Sequence, residues 1–513
     1  MSFLNEQPFI DAVRSNPDDD APRWIFADWL EEHGHHKRAE FIRNSIQLAN
    51  GVDSNDMPLT DEHKKKLEAA IAPRLKEERS RWNQLICTNE GAVYPGQATA
   101  ILYPTFDRGL PCGLSVGLHE VDPKTLIAAL RSAPITSLTL WDNALLNNFA
   151  DCPETKSITT LILNGNKLPE LKPLLSTSSF SGLTGITLSS ANKETLKGLI
   201  NAQSLTNLTS LECISTRLEA DAIAEAMSLP NANRFKRLRF AGNFLGNAGL
   251  NSIATSPNLK SLRELDVSNC DITGWGIGAL AKSPLFGQLS KLDLSMNFFG
   301  DDNFTHFIRT GNTDSLTYLN VGACSLTSAS ASALAHTDHL KALSALVLSG
   351  NHILDDGVLA VTQSDKLPAL TKLDICDTGL TSDGLIKLVE TSTLERLTSL
   401  GLSCNYLIND RGIVALARSE KIRNLTEMRV ADCALSDTAA IAIAKSPFLG
   451  NLRTLTLHGF SNDITDKGMR ALANSKTLNR NLAITVGDFS GTLDELKERL
   501  AQPKRSQTTA WSR

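Results

Sequence analysis

Leucine-type residues return along this chain in a compound rhythm that neither a single helix nor a single strand produces. Aligned on LRELDVSNCDI (Leu262 to Ile272), the pattern L-x-x-L-x-L-x-x-(N/C/T)-x-L recurs through most of the sequence. Its second leucine-type position falls at Leu138, Leu161, Ile186, Leu211 and Leu238. Nearly uniform steps of 27 then run from Leu265 to Leu455, with Met428 as a substitute, giving thirteen copies in all. Within each copy L-x-L alternates with period two, which reads as a short strand. The following dozen residues (GIGALAKSPL, GLIKLVETSTL, GIVALARSEKI) shift to helical spacing. Each copy is expected to be one strand plus one helix.

One such unit cannot bury its own apolar face, so successive units must stack. The motif resembles that of the leucine-rich repeat family, over about residues 110 to 490. The 27-residue period with a full helix is similar to the ribonuclease-inhibitor-like subtype. The resemblance implies an α/β solenoid, a horseshoe with parallel strands on the concave face and helices on the convex face. The polar position after the strand reads Asn243, Cys270, Asn297, Cys324, Asn351, Thr378, Asn405 and Cys433, so Asn alternates with Cys or Thr. In the resemblance this column turns inward and hydrogen-bonds backbone groups that would otherwise be buried unpaired. Thr273, Asp355, Thr381, Ser436 and Thr465 stand where helix N-caps belong. A Ser/Thr column from Ser256 to Ser475 marks the far helix ends and reads as structural.

Residues flanking the two leucines point away from the core and line the inner face. The best candidates for contact with a polypeptide partner there are Trp141, Arg237, Arg239, Tyr318 and Arg429, because interface hot spots are enriched in these types. Asp266, Asp293 and Asp374 stand among them. The competing reading is a solvated ladder in which Arg239 satisfies Asp266 and Lys372 satisfies Asp374. Small residues fill most of the remaining inner positions, which disfavours a deep catalytic pocket.

The ends differ in texture. Residues 1–50 predict three short helices broken at Pro17 and Gly34. The run Ala21-Pro22-Arg23, then Ala27-Asp28-Trp29-Leu30-Glu31-Glu32, then Arg38 to Arg43 resembles a short companion domain of bacterial repeat proteins, which implies company with repeats and no activity. Residues 51–109 read as a charged linker helix and leading segment, 110–490 as the solenoid with atypical terminal repeats, and 491–513 as a capping helix and disordered tail. Asp18 to Asp20 with Glu31 and Glu32, and His33, His35 and His36, invite a metal reading. Helix capping explains the first group, and HGHH lacks the i, i+4 pairing of two ligands.

Charge and composition then narrow the function. Lys plus Arg number 51 against 56 Asp plus Glu, a net charge of −5, so no global basic field points to nucleic acid. The basic helix and tail, including Trp511, keep a weak nucleic-acid association as an alternative. No stretch approaches about 18 apolar residues and no signal peptide is visible, so a cytoplasmic location is expected, without membrane contact. Nine cysteines lack paired CxxC spacing and read as reduced thiols; Cys376 and Cys404 on adjacent rungs come nearest to a pair. No catalytic motif sits in a suitable setting, which leaves an enzyme, through the N-terminal module, Cys376 or His458, as the other alternative. The expectation is a non-catalytic scaffold that binds a protein on the concave face, with no cofactor and no metal.

Overall fold

The computed structural model describes residues 5–54, 56–88, 102–117, 123–149, 152–165, 171, 174–175, 179–391 and 394–502. The tail with Trp511 lies outside them. The chain divides into two compact units, Met1–Phe244 with Ser256–Leu262, and Leu245–Thr255 with Arg263–Arg513.

In the first unit, α1 (Gln7–Ser15), α2 (Ala21–Glu32) and α3 (His36–Asn50) bear out the breaks at Pro17 and Gly34. A long α4 (Asp61–Thr88) follows. Their apolar stripes meet in a small core of Ile10, Val13, Phe26, Leu30, Ile42 and Ile46, which also takes in Leu110 from the first repeat. Polar ties reinforce the contact: Arg14 donates to the carbonyls of Leu130, Arg131 and Ala133 at the end of helix Pro123–Ser132. A cation there offsets the helix dipole and satisfies orphan carbonyls. Glu6, buried beneath Arg38 (2.6 Å) and Arg81 (3.4 Å), knits α1, α3 and α4. Burial opposes its ionisation, yet the two guanidiniums hold its carboxyl below the ordinary range.

The repeats of this unit begin with a hairpin. Strand β1 (Leu102–Asp107) runs antiparallel to β2 (Leu110–Val116), and β2 is the first rung of a parallel ladder. The ladder continues through β3 (Ser137–Leu140), β4 (Thr160–Leu163), β5 (Gly185–Leu188), β6 (Ser210–Cys213) and β7 (Arg237–Arg239). Leu114 stands opposite Leu138, Leu138 opposite Leu161 and Leu211 opposite Leu238, so the register read from sequence is the register of the sheet.

The second unit continues the pattern with β8 (Glu264–Asp266), β9 (Lys291–Asp293), β10 (Tyr318–Asn320), β11 (Ala345–Val347) and β12 (Lys372–Asp374). Strands β13 (Ser399–Gly401), β14 (Glu427–Arg429), β15 (Thr454–Thr456) and β16 (Ala483–Val486) follow, all parallel. The ladder ends in a hairpin to β17 (Phe489–Thr492). Helix Leu493–Ala501 then starts from a capping box formed by Thr492 and Glu495. In the sequence LAITVGDF reads as a last strand and Thr492 to Leu500 as a closing helix; the antiparallel strand between them is not visible there.

The alternating column does what its residue types suggest. Asn351, 4% exposed, donates to the carbonyls of Val321 (2.7 Å) and Leu348 (2.9 Å). It accepts from the amides of Cys324 (2.9 Å) and Leu326 (3.0 Å). Asn297 and Asn405 repeat this set, so each Asn joins its own repeat to the one before. Asn462 holds the same place in the last repeat, displaced by the two extra residues of HGFSNDI and so missed in the sequence register. Cys324 and Cys433 fill the intervening slots, their thiols reaching the carbonyls of Leu294 and Leu402.

The two turn types also differ in backbone. From Asn243 to Cys433 each turn has a left-handed residue just before the column, as at Gly242, Asn269, Met296, Ala323, Gly350, Asp377, Cys404 and Asp432. Cys- and Thr-type turns add a second just after it, at Asp271, Ser325, Gly379 and Ala434. Asn-type turns place theirs at the helix start, at Gly246, Gly300, Leu354 and Asn409. Side chains in this conformation are strained unless neighbours hold them, and here the Asn bonds do.

Helix punctuation is shared between repeats. Asp355, expected as an N-cap, instead lies in the first turn of helix Leu354–Gln363, whose N-cap is Ile353. Its carboxylate reaches the next repeat, accepting from the Thr381 amide (2.8 Å) and hydroxyl (2.7 Å). Asp301 serves Thr327, Asp410 serves Ser436 and Asp437 serves Thr465 in the same way. Ser436 and Thr465 cap their helices as expected; Thr273 makes no side-chain cap bond and pairs with Asn247. At the far ends, Ser364 and Ser475 donate to carbonyls of Ala335 and Ala444 in the preceding repeats.

Candidate functional site

The strand faces hold all the residues that the sequence nominates for partner contact. In the second unit, register places Asp266, Asp293, Asn320, Val347, Asp374, Gly401 and Arg429 in one column across β8 to β14. Within the column the carboxylates are held, not free. Asp266 accepts from the Ser268 amide and hydroxyl, and Asp293 does the same with Ser295. Asn320 donates to the other oxygen of Asp293 at 2.8 Å. Burial raises the Asp293 carboxyl above its ordinary value against these hydrogen bonds, and the charge of Asp266 adds to the rise. Half-buried Tyr318 stands beside this acidic stretch. Burial, then the charge of Asp293, lifts its phenol above the ordinary value.

Farther along the same column, Arg429 reaches past β13 to Asp374, at 2.7 Å, spanning two rungs. A glycine makes that reach possible. A side chain at Gly401 would begin 2.7 Å from Asp374 Oδ1 and 2.8 Å from an Arg429 nitrogen, so it would sit in the line of the ion pair. Burial opposes ionisation of Asp374, but the bonds from Cys376 and the charge of Arg429 prevail and hold its carboxyl below the ordinary range. The pairing of Lys372 with Asp374 expected from the ladder reading gives way to this one; among the described residues Lys372 makes no ion pair. Lys291 with Glu264, at 3.0 Å, forms a rung-to-rung pair of the expected kind in this column's flank. Gly401 and Asn320 were missed in sequence, and the signal was available: they interrupt a column otherwise rich in Asp.

In the first unit, Arg239 pairs with Glu212 one rung earlier, at 3.3 Å, and Arg237 is exposed on the same strand. Trp141, 44% exposed, donates its indole N–H to Ser115 Oγ at 3.1 Å, which fixes the ring at the end of β3.

The family model for the leucine rich repeat matches residues 258–281 and 452–473, which contain β8 and β15 with the helices after them. Both segments coincide with the strand-and-helix period observed throughout. The chain carries leucine rich repeats at these two segments. No curated protein matches the chain. Among solved structures, a chain from the yeast Rad7 and Elc1 complex covers 82% of this chain and 96% of its own, at 15% identity and a TM-score of 0.45. An internalin (inlF) from Listeria monocytogenes str. 4b F2365 covers 66% of this chain and 89% of its own, at 18% identity and a TM-score of 0.36.

The alternatives to partner binding can be placed on this leucine-rich repeat frame. His33 stacks on Trp29 with ring centroids 4.2 Å apart, His36 bonds Glu31 at 2.6 Å, and Asp20 lies between Arg23 and Arg108. These contacts occupy His33, His36, Glu31 and Asp20, and no cluster of groups that could hold a metal ion occurs among the described residues. Asp20 is the N-cap of α2 without a side-chain bond; it is Asp19 that accepts, from the Ala21 amide. Burial, then the charge of Asp374, pushes the Cys376 thiol up to about 12, so it is protonated at neutral pH and a poor nucleophile. Cys324 and Cys433 are likewise held at about 12 by burial. Cavities of about 500 and 750 Å³ lie among the helices, lined by residues such as Leu359 and Trp275, away from the strand column. No described helix is long and apolar enough to cross a membrane.

Proposed function

We propose that this protein is a non-catalytic scaffold that grips a polypeptide partner through its strand faces. The observation that carries this reading is the ordered charge column of the second unit. Arg429 is steered over Gly401 onto Asp374, and Tyr318 is set among carboxylates that neighbouring rungs hold in place. Side chains fixed before association lose little entropy on binding, and Tyr and Arg are the types that carry interface energy. In the first unit Trp141, tethered to Ser115, and the pair Arg237 and Arg239 supply the corresponding contacts. The scaffold acts in a reducing, cytoplasmic compartment, a reading supported by the buried thiols of the column. The Asn/Cys alternation supports the ribonuclease-inhibitor-like subtype, and α1 to α3 are assigned as the companion domain of bacterial repeat proteins.

Crosslinking in native cells followed by mass spectrometry identifies the partner. Tyr318→Ala and Arg237→Ala are expected to lower its capture about tenfold each, in the range of interface hot spots. Capture that survives both changes but is lost on substitution of the helix face overturns the assignment.

A further inference from the structure

A second surface runs along one edge of the ladder in the second unit, where strands turn toward helices. Phe298, His352, Tyr406 and Phe460 follow one another in steps of 54 residues, two repeats each, and all four are exposed; Phe298 is 70%, Tyr406 57% and Phe460 110%. The first three directly follow a column Asn, whose four backbone bonds fix the turn; Phe460 stands in the two-residue insertion ahead of Asn462. Backbone bonds from Phe298 to Ile272 and from His352 to Leu326 seat the row on the preceding repeats. Apolar rings in such positions are not needed for the core and are exposed in register, which singles the edge out as a contact surface.

Carboxylates flank the row: Asp271 lies in the turn before Phe298, and Asp377 and Asp432 lie in the turns on either side of Tyr406, while the turn between Phe298 and His352 reads Ala323-Cys324-Ser325. None of the three forms an ion pair among the described residues. Tyr406 lies between Asp377 and Asp432, near enough that the Cys404 sulfur, then burial, then both carboxylates raise its phenol. Each aromatic of the row therefore has, in an adjacent turn, a carboxylate that forms no ion pair among the described residues, the combination that attracts cations.

Spacing adds a length. Rungs are about 4.8 Å apart, so aromatic turns recur at about 9.6 Å. Three residues of a polyproline II segment span about 9.3 Å and complete one turn, returning every third side chain to the same face. We propose that this edge binds an extended basic segment of a partner protein, with Arg or Lys at every third residue, each cation lying on an aromatic ring beside an aspartate of the adjacent turn. The inference deepens the scaffold reading by naming the partner's chemistry. It concerns a different surface from the strand column, so a peptide assay and the native-cell capture fail independently.

The test uses the full chain and fluorescence anisotropy at low salt, with a labelled peptide of repeated Pro-Pro-Arg. A peptide of identical composition with its arginines in one block is the comparison. The spaced peptide is expected to bind about fivefold more tightly than the blocked one, a modest sum of cation–π contacts. Phe298→Ser with Tyr406→Ser, and separately Asp377→Asn with Asp432→Asn, are expected to weaken the spaced peptide about tenfold. Both pairs are exposed, and unchanged thermal unfolding certifies the fold. Trp275→Ala on the helix face is expected to leave binding unaltered. Equal affinity for the two peptides, no binding of the spaced peptide, or affinity that survives the aromatic substitutions each overturns the proposal.

Discussion

The second unit and the early repeats of the first use the same strand register but secure it differently at the turn; Asn243, in the last turn of the first unit, already makes the four bonds typical of the second. In the second, every other repeat inserts an Asn whose four bonds tie two repeats together, and the period stays at 27 or close to it from β8 to β15. In the first, the early steps are 23, 25 and 25. Asn143 exchanges bonds with Gly165 of the following repeat, and the β5 repeat carries Ala191 in the column. Short 3-10 turns (Asn143–Phe149, Pro153–Ser157) replace the full helix in the repeat after β3, while helices Lys193–Asn201 and Ala220–Ser228 follow β5 and β6. The difference teaches that a strict period is maintained by side chains able to saturate the buried turn, while leucines alone maintain only the strand register.

Removing an Asn should break this contrast most severely. Asn351→Ala leaves two amides and two carbonyls of buried turns without partners, and a loss of about 3 kcal/mol or more is expected. Asn143→Ala should cost about half as much. Urea unfolding with hydrogen exchange read separately on each unit compares them; equal losses would end the distinction. Next comes the close helix packing of the second unit. At Gly357 a methyl group would meet Ile353 Cγ2 at 2.6 Å and the Ser328 backbone at 3.0 Å, so Gly357→Ala should cost about 1–3 kcal/mol in the same experiment.

Smaller effects separate two aspartates within one column. Asp374 titrates below its ordinary range in the folded chain, so its contribution is complete near neutral pH and is lost as pH falls through that lowered value. Arg429→Met should weaken this dependence, leaving the part due to the Cys376 bonds, and cost about 0.5–1 kcal/mol at neutral pH, a modest figure because the guanidinium is 37% exposed. Asp293 is raised, so its sign is opposite: folding binds its proton more tightly, and its contribution grows as pH falls through the raised value. Unfolding midpoints of the wild type, Arg429→Met and Asp293→Asn across acid pH show whether the two slopes oppose each other. The smallest effect is chemical. With Cys324, Cys376 and Cys433 at about 12, alkylation of the native chain near neutral pH should leave them unmodified while partly exposed Cys404 reacts first, as peptide mapping will show.

Much of this molecule was written in one dimension. The leucine register, the alternating Asn and Cys column and the helical ends are repeated locally, so residues at one spacing had to meet their counterparts on the next rung. That is why Leu346 stands opposite Leu319 and Leu373, and why Asn297, Asn351 and Asn405 make the same four bonds. Asn462 escaped because an insertion of two residues moves a column member without moving the strand. What only the tertiary structure decided are contacts that skip the repeat. Arg429 and Asp374 are 55 residues and two rungs apart and meet because Gly401 leaves a gap between them. Arg14 reaches Leu130 across 116 residues because a helical core has first brought α1 to the opening repeats. Such pairs depend on which side chain is missing between them and on how separate cores stack, and neither follows from the spacing of leucines.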